Sequence, residues 1–75
     1  MSTAAQERNV LGRIWNAQYR IEKLRNARAK LVEEITAACI AGNLERAYDY
    51  AEATTRIDVQ LKKAQADLKL WKSLR

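Results

Sequence analysis

Apolar side chains recur along this chain at alternating steps of four and three residues. Val10, Ile14, Ala17, Ile21, Leu24, Leu31, Ile35 and Ala38 form one series, interrupted only at Arg28. Ala47, Tyr50, Thr54, Ile57, Leu61, Ala64, Leu68 and Trp71 form a second. This is the spacing of a helix face packed on another helix at a shallow angle. It predicts helix 1 over residues 3–41 and helix 2 over residues 43–74, in one domain spanning residues 1–75. Between the two series stands Ala41-Gly42-Asn43. Glycine just past a helix end accepts the left-handed conformation that closes it, and asparagine is a favoured N-cap for the next helix. Glu45 then falls in the first turn of helix 2, where a carboxylate suits the positive end of the dipole. Upstream, Thr3 and Gln6 have capping-box spacing. Gly12 is expected to fray or bend the start of helix 1, which would make Asn9 a later N-cap.

So short a connection forces the helices to be antiparallel neighbours. The predicted fold class is all-α: a coiled-coil-like two-helix hairpin, each arm roughly 50–55 Å long, completed as a helical bundle by self-association. The stretch from Gly42 to Ala51, Gly-Asn-Leu-Glu-Arg-Ala-Tyr-Asp-Tyr-Ala, resembles the turn and second helix of a tetratricopeptide repeat. No second copy follows, and arrays of that kind need about three repeats, so the resemblance reaches only the turn chemistry. In topology alone, the hairpin also resembles the small dimeric RNA-binding hairpin regulators of plasmids.

A second set of apolar residues falls off the main seam. At 100° per residue, Leu11, Trp15 and Tyr19 stack at i, i+4 spacing on helix 1. Tyr48, Val59, Ala66 and Leu70 fall away from the seam on helix 2. A lone hairpin would leave them in water, so they mark a second interface, with another copy or with a partner. With 48% apolar residues in 75 positions, one seam between two helices cannot bury what the chain carries, and the usual supports for so small a domain are missing. One cysteine forms no internal disulfide, and without histidine there is no His/Cys zinc cluster. Cys39 lies beside Ala38 and Ile35 and is expected to be a buried, inert thiol.

Charge is sorted along the chain. Residues 8–30 hold seven bases and one acid, net +6; residues 33–58 hold two bases and six acids, net −4; residues 59–75 hold five bases and one acid, net +4. Folding at residue 42 joins the two basic segments, so the formal charge of +5 is the difference between an open end near +10 and an acidic turn end. Positions whose numbers sum to about 85 face each other, which puts Trp15 and Trp71 at one level near the open end.

Catalytic chemistry is not expected. There is no histidine, the commonest general acid/base, no Gly-rich phosphate loop and no nucleophile elbow. Glu33, Glu34, Glu45, Asp49 and Glu52 read as a solvated acidic face. No cofactor or metal is implied. The start is polar and lacks the apolar centre of a signal peptide, no run approaches a membrane span, and the lone cysteine suits a reducing compartment, so a cytoplasmic location without membrane contact is expected. The expected function is that of a regulatory or inhibitory protein-interaction module, in the manner of a phage- or plasmid-type accessory factor. Its expected contact surface is the basic open end, with Arg13, Trp15, Tyr19, Arg20, Lys23 and Trp71. The expected partners are another copy and a protein with an acidic surface. Two alternatives are a non-specific DNA- or RNA-binding hairpin and a structural assembly subunit; tryptophan and arginine are enriched at protein hot spots, whereas stacked aromatics among cations also serve single-stranded nucleic acid.

Overall fold

A computed structural model describes residues 4–74. The chain folds into two antiparallel helices, α1 (Ala4–Ile40) and α2 (Leu44–Ser73), packed along their length. No strand occurs among the described residues. The hairpin is a rod with extents of 60 × 14 × 12 Å. α1 runs unbroken through Gly12 from Ala4, so the expected bend does not occur and Asn9 is an interior helical residue, not a cap. The expected Thr3–Gln6 capping box involves Thr3, which lies outside the described residues.

Every predicted seam position leaves solvent. In α1 the buried or half-buried residues are the eight predicted ones; in α2 they are the eight predicted ones together with Ala53 and Asp58. The centre is Ile21, Leu61 and Ala64, with Leu24, Ile57 and Leu68 packed against them. Thr54, a polar residue on the seam, donates its hydroxyl to the Tyr50 carbonyl at 2.9 Å. This bond to the preceding turn removes the cost of burying an unpaired hydroxyl. Arg28, the break in the first series, reaches across the hairpin to Asp58 at 2.6 Å. Both side chains are about half exposed, so the pair contributes on the order of 0.2–1 kcal/mol. Its main effect is on register, because it ties one level of α1 to one level of α2.

The turn is built from backbone hydrogen bonds. Gly42 takes φ +74°, a conformation that a Cβ disfavours. The Gly42 N–H donates to Cys39 O at 3.1 Å and the Asn43 N–H to Ala38 O at 2.9 Å. These are the two bonds of a Schellman closure, and they satisfy carbonyls that the end of α1 would leave unpaired. The Asn43 side chain then accepts from the Arg46 N–H at 3.1 Å and caps α2.

A further finding differs from expectation. Cys39 is exposed. The seam passes through Ala38 and the next seam step falls in the turn, so Cys39 points about 100° away from it. Among the described residues, no large side chain is fully buried. The rod exposes 6159 Å², against about 4,700 Å² for a compact monomer of the same mass.

The slim core makes a contrast measurable by thermal melting at fixed concentration. Leu61→Ala, in the centre of the seam, is expected to lower stability by about 2–3 kcal/mol. Val59→Ala, two residues away but 66% exposed, is expected to change it by less than about 0.5 kcal/mol. Equal effects would show that the seam is not where α1 and α2 pack.

Candidate functional site

The residues singled out at the open end separate into two groups. Trp15, Tyr19 and Lys23 climb one side of α1 at steps of four. The Trp15 and Tyr19 rings stack with centroids 5.5 Å apart and planes 6° from parallel. The Lys23 ammonium sits 5.3 Å from the Tyr19 ring centroid. Each step continues the ladder, ring on ring and then cation on ring, because i and i+4 side chains lie one above another on a helix. The ladder is open to solvent: Trp15 is 63% exposed and Tyr19 49%.

Arg13, Arg20 and Trp71 form the second group, on the other side of α1. Arg13 holds its guanidinium 5.2 Å from the Trp71 ring centroid, which joins the two helices near the open end. That contact and the Arg28–Asp58 pair confirm that facing positions have numbers summing to about 85. Trp71 is half-buried on the seam, unlike Trp15. Arg13, Arg20 and Trp71 line a shallow groove of about 190 Å³ with Asn16 and Asp67. The ladder and this groove are separate surfaces that share one basic end.

A larger open groove, about 630 Å³, lies on the opposite flank. Its floor is Ile21 and Leu68; its walls carry Arg25, Lys69 and Lys72 against the single acid Glu22. Sequence reasoning missed it because its walls, Gln18, Glu22, Arg25, Gln65, Lys69 and Lys72, flank the seam without belonging to either apolar series. Their signal is positional: Gln18, Arg25, Gln65 and Lys72 each follow a seam residue by one, and recur every seven.

The off-seam apolar residues occupy several columns. Leu11, Tyr48, Val59, Ala66 and Leu70 are all exposed. Counted in sevens from the seam, however, Leu11 and Tyr48 belong to the flank of the larger groove. Val59 and Ala66 lie on the outer face, and Leu70 belongs to the far flank. The seam drifts about 20° per seven residues relative to a straight helix, so wheel angles at 100° per residue merge columns that the packing separates. Val32, Ile40, Leu44 and Leu74 are further exposed apolar residues.

Among the described residues, no three His, Cys, Asp or Glu side chains converge as a metal site. Nor, among these residues, is any helix long and apolar enough to cross a membrane. No family model, curated protein or solved structure matches the chain.

The two tryptophans provide a direct check on this geometry. Trp71→Phe leaves Trp15 as the single indole, and Trp15→Phe leaves Trp71. Acrylamide is expected to quench the first variant more steeply than the second. The reverse order would contradict the ladder.

Proposed function

We propose that this chain is a non-enzymatic, regulatory or inhibitory binding module whose basic, aromatic open end engages an acidic surface of a partner protein. The observation that supports it is the solvent-exposed ladder of Trp15, Tyr19 and Lys23, with Arg13 and Arg20 on the other side of the same helix. Aromatic rings bring large contact area at low entropic cost, and stacking holds them in place before any partner arrives. Surrounding cations speed encounter with an acidic patch and select against basic ones. Arg20 has room to form bidentate pairs with carboxylates. An accessory factor of phage or plasmid type, blocking a larger machine, fits a small module of this kind.

The parallel Trp15–Tyr19 rings also favour a second reading, non-specific binding of single-stranded nucleic acid. A ring with one free face can stack a base, and the open end's lysines and arginines can track phosphates.

Trp15→Ala is expected to weaken partner binding at least tenfold, about 1.4 kcal/mol, with helicity unchanged by circular dichroism. The measurement is affinity capture from the native host, with wild type and variant as bait and nuclease in both arms. Equal capture by the two baits would exclude the ladder as the contact surface. Nucleic acid is read separately by salt titration. Binding to a single-stranded oligonucleotide would have to fall with a log–log slope of about −0.7 per neutralised phosphate. No binding at low salt would remove that alternative.

A further inference from the structure

The flank that carries the larger groove changes character along the rod. Gln18 and Gln65 share the groove. Steps of seven from these two residues give the rows of the flank toward the turn: Arg25 with Asp58, Val32 with Ala51, and Cys39 with Leu44. The outer column on the same flank continues with Ala29, Thr36, Tyr48 and Thr55. Between the Arg25–Asp58 row and the turn, this flank therefore holds no charged residue, although the turn end as a whole is acidic. Apart from Asp58, its acids, Glu33, Glu34, Glu45, Asp49 and Glu52, fall on the outer face or the far flank. Val32 is 41% exposed, Leu44 73% and Tyr48 67%.

We propose that this flank docks a second copy of the chain, side by side and with both turns at the same end, to give a four-helix bundle. A two-fold axis along the rod sets α1 of each copy beside α2 of the other, antiparallel, as in an up-down-up-down bundle. Each row then meets its own row with the members exchanged. Val32 faces Ala51, Cys39 faces Leu44, Arg25 faces Asp58 and Gln18 faces Gln65, so along these four rows apolar meets apolar, base meets acid and amide meets amide, while at the open end Leu11 meets Lys72. The head-to-tail arrangement, with the axis across the rod, sets Arg25 against Arg25, Asp58 against Asp58 and Val32 against Gln18. Contact chemistry selects the first. Its cost is the proximity of like-charged ends, which salt screens over about 8–10 Å.

The surface area leaves room for one such partner. The 6159 Å² exposed exceeds the expectation for a compact monomer by on the order of 1,400–1,500 Å². A standard interface removes about 800 Å² from each copy. The ladder of Trp15, Tyr19 and Lys23 borders this flank at the open end, so the dimer displays two ladders without consuming them.

Sedimentation equilibrium of the full chain from 5 to 200 µM, at 50 and 500 mM salt, tests the proposal. Dimer is expected, with a dissociation constant that falls as salt rises, because the repelling ends are screened. Val32→Glu and, independently, Ala51→Glu are expected to raise it at least tenfold. Both positions are off the seam, so helicity is retained. A spin label on Cys39 reads the orientation: the two labels are expected within about 20 Å, against about 40 Å for head-to-tail pairing at 1.5 Å per residue over 28 residues. Monomer throughout, a dimer untouched by both substitutions, a dimer weakened by salt, or labels about 40 Å apart would each overturn the proposal.

Discussion

Apolar side chains at steps of three and four meet across one interface, and everything else in the hairpin depends on that interface being where the chain leaves water. Ile21, Leu61 and Ala64 carry the centre of it. Two helices have only one mutual face, so the core is a line and not a volume. That accounts for the absence of a fully buried large side chain among the described residues. It also accounts for the treatment of polar residues on the line. Thr54 is satisfied by its own helix, and Arg28 is drawn to the edge by Asp58. Neither is left to carry the cost of an unpaired buried group.

The seam and the turn were legible because both rest on local rules. Periodicity states which positions face a partner helix, and Gly42-Asn43 states where one helix closes and the next opens. What lay beyond was decided by geometry between the arms. Asp58 stands one residue off its seam, thirty residues from Arg28, and nothing local announces that the two meet. Cys39 was expected inside because it follows Ala38, yet one residue is a rotation of about 100°, enough to bring it into solvent. The off-seam apolar residues were legible one by one but not as columns, since a face followed over several turns precesses around a straight helix. At the open end, the identity of the aromatic and basic residues was legible. Which ring stacks on which, and which cation sits over which ring, depends on rotamers that composition does not encode.

Charge and apolar surface are partitioned around the rod as well as along it. Near the turn, one flank holds no charge while the acids occupy the remaining faces. Toward the open end, a lysine sits over one of two stacked, exposed rings on one side, and cations line a groove on another. A chain of this size has no interior to spare for specificity, so distinct contacts are distributed over different faces of the same two helices. One face can then be altered without dissolving the seam that positions the others.

The two-bond closure at Gly42 and Asn43 has a mechanical consequence. Because the arms return to the same end, Gly12 and Ser73 lie at one level of the rod. Tension applied there loads the seam one layer at a time, as a zipper is opened, and never loads all layers together as in shear. Such a rod offers little resistance to pulling from its open end and much more to force along its axis between turn and tip.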